Sequence, residues 1–213
     1  MKEARRLDHF QKKALHIVVK FAQDVLIARK GKVPNPSAPF LMVHGGAGSG
    51  KSTLIYTISQ YVQHLLRRDG DDPDCPYLLL STFTGAAASN IKGQTLHTLL
   101  SFNFGAGYMS LSDKARDEKR NLYKNLKVLI IDEVSLVDSD MFYKIDLRLR
   151  EITQKARPFG NVAVILLGDL MQMCPIGTGR YIFLNPVNKQ FFLTNQMDPL
   201  WQKSYVACII LAC

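Results

Sequence analysis

Hydrophobic residues along this chain fall into two kinds of run. The first recurs at helical spacing. Leu15, Val18, Val19, Ala22, Leu26 and Ile27 share one face and predict a helix over residues 9–29, stopped by Gly31 and Pro34. Residues 51–68 read as a second amphipathic helix, and residues 139–155 as another, with Met141, Ile145, Leu149 and Ile152 on one side. The second kind is short and continuously apolar: residues 40–43, 77–81, 128–131 and 161–167. Without polar alternation, such runs suit strands covered on both faces of a parallel sheet. Strand and helix alternate along the chain. That order predicts an α/β fold with a mostly parallel sheet flanked by helices on both faces. Shorter helices are expected over residues 84–91 and 95–100, and an exposed, highly charged one over 113–125. Residues 69–76 and 102–109 read as loops. The apolar tail, residues 205–213, suits a strand or helix that belongs to something larger.

Pro34, Pro36 and Pro39 form a stiff connector, which divides the chain into an N-terminal helical part, residues 1–38, and an α/β domain, residues 39–213. The 213 residues, 47% of them hydrophobic, suffice for one sizeable core. No apolar run approaches the about 18 residues of a membrane span, so no membrane partner is expected. The charged start does not resemble a secretory signal. Its basic, amphipathic character hints at a mitochondrial transit peptide, against which Glu3, Asp8 and Asp24 count. The spacings of Cys75, Cys174, Cys208 and Cys213 match neither a zinc site nor a redox pair, which leaves thiols in a reducing compartment.

Charge changes the picture more. Lysine and arginine number 27 against 18 acids, a net +9. Within residues 1–32 nine basic groups face three acids. The excess makes a polyanionic partner plausible, with plain solubility as the rival reading.

The candidate chemistry begins where the first apolar run ends. Gly45, Gly46, Ala47, Gly48, Ser49, Gly50, Lys51, Ser52 and Thr53 follow a predicted strand and open a predicted helix, as a phosphate-binding loop requires. Glycines let successive backbone amides face a phosphate, and the helix adds its positive end. Lys51 is expected to reach the β and γ phosphates of a nucleoside triphosphate, and Ser52 to ligate Mg2+. Asp132 and Glu133 end a buried strand, at the sheet edge where ligands bind in open α/β folds. Asp132 is the metal partner and Glu133 the base that orients the attacking water; a capping pair at a strand end is the plain alternative. Gln172, just after Asp169 and the fourth run, can sense the γ-phosphate, or can be an ordinary polar strand end. Pro175 shapes that loop. Gln11 offers a donor and an acceptor that match adenine, although a surface glutamine is the commoner outcome. Residues 82–98 are rich in small and hydroxylic types. Among Thr84, Gly85, Ala86, Ala87, Ser89, Asn90, Lys92, Thr95 and Thr98, the small residues permit a close approach of backbone, and the hydroxyls, amides and Lys92 can contact phosphates without reading bases. Phe83, Phe102, Phe104 and Tyr108 offer stacking surfaces or core aromatics. His97 reads as a structural or coupling residue.

These segments resemble one family. GGAGSGKS is similar to helicase motif I, FTGAAASNIKGQTLHTLL to the Ia region, LIIDEVSLVD to motif II and LLGDLMQMCP to motif III of the PIF-type, RecD-like branch of superfamily-one DNA helicases. LDHFQKKAL resembles the family's adenine-reading motif, which gives Gln11 that role. The resemblance covers about residues 7–201. It implies a RecA-like P-loop NTPase domain of an ATP-driven, 5′-to-3′ helicase that tracks on single-stranded DNA, with Mg2+ as cofactor. By the same match, Lys51, Ser52, Asp132, Glu133 and Gln172 take the roles above. Thr84, Gly85, Ala86, Asn90, Lys92, Thr95 and His97 line the DNA path. Partners would be single-stranded DNA, DNA junctions or duplex ends. Replication, recombination, repair and telomere maintenance are the implied processes, in the nucleus first and the mitochondrion second.

Two departures are visible. Leu170 stands where the family commonly has phenylalanine, and residues 205–213 lack the family's arginine. The expectation is therefore a first motor domain without its second RecA-like domain in cis, a fragment with weak activity. A catalytically inactive nucleotide- or DNA-binding remnant of a transposon-derived helicase is the alternative. No guanine-reading N-K-x-D string follows, which counts against a GTPase, and the Ia-like string counts against a small-molecule kinase.

Overall fold

The computed structural model describes residues 3–31, 33–103, 107–170, 172 and 206–211. Among these, six strands form one sheet: β1 (Phe40–His44), β2 (Leu78–Thr82), β3 (Gln94–Thr95), β4 (Val128–Asp132), β5 (Ala163–Gly168) and β6 (Val206–Ile210). Their spatial order is β3-β2-β4-β5-β1-β6, and every pairing is parallel.

Burial on both faces explains the continuous apolar runs. Leu41 and Val43 point into one core and Phe40 and Met42 into the other. β5 alternates in the same way, Ile165 and Leu167 against Val164 and Leu166. Helices α1 (His9–Arg29) and α2 (Lys51–Leu66) cover the first face. The short α3 (Gly85–Asn90) packs at the β2–β3 edge; on the second face lie the short α4 (Leu96–Leu100), the exposed α5 (Asp113–Leu122) and the long α6 (Ser139–Thr153), and α4 and α6 supply the helical side of that core. Ala14, Val18 and Ala22 of α1 are fully buried within the same core as β1 and β5. The connector after α1 is tied down as well. Asn161 accepts from the Ala38 amide at 3.1 Å and donates to the Pro36 carbonyl at 3.0 Å.

The helices follow their local signals. A reciprocal capping box opens α1: Asp8 Oδ1 accepts from the Gln11 amide at 2.8 Å, and Gln11 Oε1 accepts from the Asp8 amide at 3.1 Å. Thr84, Thr95, Ser112 and Asp138 cap α3, α4, α5 and α6.

The expected elements differ from the observed ones in two ways. First, three helices end early. α2 stops at Leu66 because Arg67 is already extended, α5 stops at Leu122, and α6 stops at Thr153 because Gln154 turns left-handed. Second, β3 has no counterpart in the hydrophobic pattern. It is two residues long and exists because Gly93 lets the chain pass against β2, where a Cβ would stand 2.6 Å from the Leu80 carbonyl oxygen. The apolar tail forms β6, beside β1. Expectations resting on Phe104, Cys174, Pro175 and Cys213 fall outside the described residues.

Candidate functional site

The carboxyl ends of β1, β2, β4 and β5 converge on one edge of the sheet. β1 leads through residues 45–50 into α2. Gly48 and Gly50 have φ of 80° and 77°, the left-handed region in which side chains are strained. Gly45 is required for closeness, because a Cβ there would lie 2.5 Å from Ser49 Oγ. Ser49 Oγ donates across the turn to the Gly46 carbonyl at 2.8 Å. The Lys51 ammonium donates to the Gly45 and Gly46 carbonyls at 2.6 and 2.7 Å, which aims its charge at the mouth of the loop. Ser52 and Thr53 are exposed on the first turn of the 16-residue α2. Free amides at that turn and the helix dipole favour an anion there.

Gln11 lies behind this loop. Its side chain is buried, and Nε2 donates to the Ser49 carbonyl at 2.9 Å. The surface-glutamine reading is thereby excluded. Its packing is tight: a Cβ on Gly50 would come within 2.4 Å of Gln11 Nε2.

Asp132 and Glu133 sit beside the loop at the end of β4. Burial raises the Asp132 carboxyl above the ordinary value of 3.8. The neighbouring Glu133 charge adds to this, while the Glu133 amide and the Lys51 ammonium oppose it. A half-buried carboxylate near Lys51, with an exposed serine hydroxyl across the loop, is a donor set suited to a hard divalent cation that keeps most of its water and phosphate ligands. Among the described residues no cluster of three or more His, Cys, Asp or Glu side chains forms a complete protein cage for a metal.

Glu133 has φ 54° and ψ 41°, a left-handed residue that turns the chain sharply after β4. Its amide donates to Asp132 Oδ1 at 2.9 Å. Its side chain reaches β2's extension, where Thr84 Oγ1 donates to Glu133 Oε2 at 3.0 Å. Sheet register makes this possible, since Thr82 pairs with Asp132. Gln172 is exposed in a turn after β5, its amide donating to the Asp169 carbonyl at 3.2 Å.

The candidate DNA-facing residues divide by exposure. Gly85, Ala86, Ser89, Asn90, Lys92 and Thr98 are exposed, whereas Thr84, Thr95 and His97 are half-buried. Thr95 Oγ1 caps α4 by accepting from the Thr98 amide at 3.3 Å. The His97 ring stands edge-on between Phe83 and Phe102, with centroids 5.7 and 6.5 Å away. Burial, and then the Lys144 charge, lower its basicity below the usual histidine value. Phe83, Phe102 and Tyr108 pack against the core under α4 and α6, and Tyr108 donates to Glu151 at 2.7 Å. Phe102 is a core residue as in the core reading, and Phe83 and Tyr108 are half-buried beside it.

His44 was not among the sequence candidates. It ends β1, and its Nδ1 accepts from the Leu170 amide at 3.3 Å and lies 3.9 Å from Asp169 Oδ1. It thus fastens the segment leading to Gln172 onto the phosphate loop. Its position, one residue before the glycines, was the only available signal.

Strand, glycine loop and helix, with an acidic pair on the neighbouring strand end, define a P-loop NTPase domain of RecA-like architecture. The family model described as "PIF1-like helicase" matches residues 11–206. The chain belongs to the PIF1-like helicase family. Curated relatives include the ATP-dependent DNA helicase PIF1 of Emericella nidulans, 35% identical over 139 residues that make up 64% of this chain and 18% of that protein. PIF5 of Trypanosoma brucei is 37% identical over 64% of this chain and 14% of its own length. Human PIF1 is 30% identical over 75% of this chain and 24% of its own length. The chain therefore corresponds to a minor part of each relative. Among solved structures, Pif1 helicase from Candida albicans superposes with a TM-score of 0.67 at 24% identity, over 96% of this chain and 39% of that one. Bacteroides Pif1 helicase in complex with ADP-AlF3 and single-stranded DNA gives 0.57 at 27% identity, over 90% of this chain and 41% of that one.

Proposed function

We propose that this chain is the first motor half of an ATP-dependent DNA helicase. The carrying observation is the single edge that holds the Lys51 loop, the Asp132–Glu133 pair and, through Thr84, the start of the segment proposed to meet DNA. In this reading the loop amides and Lys51 hold the β and γ phosphates of ATP, and Gln11 reads adenine by exchanging its bonds to the Ser49 carbonyl and the Asp8 amide for the edge of the base. Ser52 and Asp132 hold Mg2+, which supplies charge neutralisation at the phosphates. Glu133 orients and deprotonates the attacking water. Gln172 senses the γ-phosphate. The exposed Gly85, Ala86, Asn90 and Lys92, with Thr95 and His97 behind them, contact the backbone of single-stranded DNA. A second RecA-like domain completes the ATP cleft. The finer features, 5′-to-3′ movement, action at junctions or duplex ends, and service in replication, recombination, repair or telomere maintenance in nucleus or mitochondrion, are part of the proposal. The relative crystallised with ADP-AlF3 and single-stranded DNA supports the choice of ligands.

The test is Glu133→Gln, with nucleotide affinity and steady-state hydrolysis measured side by side. Affinity for ATP with Mg2+ is expected to stay within a few-fold, while DNA-stimulated turnover falls about 10²- to 10⁴-fold, the usual worth of a positioned general base. Equal turnover in the variant refutes the assignment of the base. Nucleotide binding without any turnover in the unaltered chain favours a binding remnant instead.

A further inference from the structure

The carboxylate proposed to activate water is held by the residue that begins the DNA-facing segment, and the geometry points to Thr84 as a positioning residue that restrains Glu133 until that segment moves. This inference rests on the proposed ATPase reading and deepens it.

The backbone of Glu133 has little freedom. Its left-handed φ of 54° fixes a sharp turn, and its amide is engaged by Asp132 Oδ1 at 2.9 Å. β5 closes on the same turn, where a Cβ on Gly168 would stand 2.9 Å from the Val134 amide nitrogen. With the backbone clamped, the direction of the carboxylate is decided by side-chain partners. Thr84 Oγ1 donates to Glu133 Oε2 at 3.0 Å. That bond takes up one of the carboxylate's acceptor sites and draws the group toward β2.

Thr84 is also the mechanical start of the DNA-facing segment. The same hydroxyl accepts from the Ala87 amide at 3.3 Å, and the Thr84 carbonyl accepts from Thr82 Oγ1 at 2.7 Å. α3 is only six residues long and buries only Ala87 and Ala88, so little packing resists a small displacement. A displacement of Gly85 to Asn90 on binding DNA pulls the hydroxyl with it. Glu133 then loses its restraint and turns to the water. Coupling by this route needs one bond that exists in one arrangement and not in the other.

The experiment measures ATP hydrolysis by the chain, with and without single-stranded DNA, for the unaltered sequence and for Thr84→Val, Thr84→Ser and Thr84→Gly. Serine keeps both hydroxyl bonds. Valine keeps the shape and loses both. Glycine loses the bond to Glu133 but remains a fair helix cap. Valine and glycine variants are expected to raise DNA-free turnover several-fold and bring the stimulation by DNA toward one-fold, with KM for ATP unchanged. Serine is expected to match the unaltered chain. A purely structural role for Thr84 lowers both rates together and leaves their ratio intact, which overturns the inference. So does a valine variant with unchanged rates. Absence of DNA-stimulated turnover in the unaltered chain with a second RecA-like domain supplied overturns the ATPase reading itself, and this inference with it, so the two failures are distinguishable.

Discussion

Replacing Gly50 with alanine tests whether Gln11 and the phosphate loop form one unit. Two costs arise from the structure. The first is backbone strain: Gly50 has φ 77° and ψ 20°, and a non-glycine residue in that region loses about 1–2 kcal/mol. The second is steric, because the new Cβ would lie 2.4 Å from Gln11 Nε2. A glutamine tip ordinarily moves aside at little cost. Here it is only 7% exposed and donates to the Ser49 carbonyl while its Oε1 holds the Asp8 amide. Displacing it forfeits two hydrogen bonds, each worth about 0.5–1.5 kcal/mol net. Gly50→Ala should therefore destabilise the fold by about 2–5 kcal/mol. In a Gln11→Ala background the steric part disappears, and the same substitution should cost only the about 1–2 kcal/mol of strain. Urea unfolding of the four proteins yields the coupling between the sites, expected at about 1–3 kcal/mol. Additive costs, with no coupling beyond about 0.5 kcal/mol, refute the claim that the buried amide props the loop.

Two half-buried ionisable groups yield predictions of their own. Asp132 has its folded pKa raised above 3.8 chiefly by burial, so its charged form costs stability at neutral pH. Asp132→Asn should be more stable than the unaltered chain at pH 7; this advantage should shrink as pH falls through the raised value and vanish below 3.8, where folded and unfolded carboxyls are both protonated. Denaturant midpoints at pH 7 and pH 4 measure it, and an equal advantage at both argues that the gain is not electrostatic. Lys127, whose Nζ donates to the Leu126 carbonyl at 3.1 Å, is depressed by burial from 10.5 to about 8, with the Lys155 and Arg29 charges adding to the effect. Its charged form is the costly one, so Lys127→Met should stabilise the fold most below pH 8, with a benefit that fades between about 8 and 10.5. Melting curves at pH 7 and pH 10 check the sign.

The parts of this fold legible in the sequence are those set by local pattern. β1, β4 and β5 are buried on both faces, so their apolar runs stand out, and α1 is bounded by a capping box at one end and Gly31 at the other. The phosphate loop was legible for the same reason, since its glycines and Lys51 are consecutive and flanked by strand and helix. β3 was not legible. Its two residues are Gln94 and Thr95, polar, and paired to β2 through Ser81 and Thr82 only after the chain has folded back. Helix ends were blurred where side-chain periodicity outlasts the backbone, as at Arg67 and Gln154.

The connections between the functional residues were illegible for a different reason. Gln11 meets Ser49 across 38 positions, Thr84 meets Glu133 across 49, and Leu170 meets His44 across 126. No periodicity relates such pairs; parallel register accounts for the last two, and the packing of α1 behind the loop for the first. Setting Thr82 opposite Asp132 places Thr84 beside Glu133, and setting His44 opposite Gly168 places its ring against Leu170. Each bond ties an element expected to touch phosphate or water to a neighbour expected to report on something else: nucleotide identity, DNA, or the γ-phosphate. In a parallel sheet the carboxyl ends lie side by side, so one or two residues beyond a strand suffice to make the link. The same register that builds the core thus brings Thr84 to Glu133 and Leu170 to His44 along this edge.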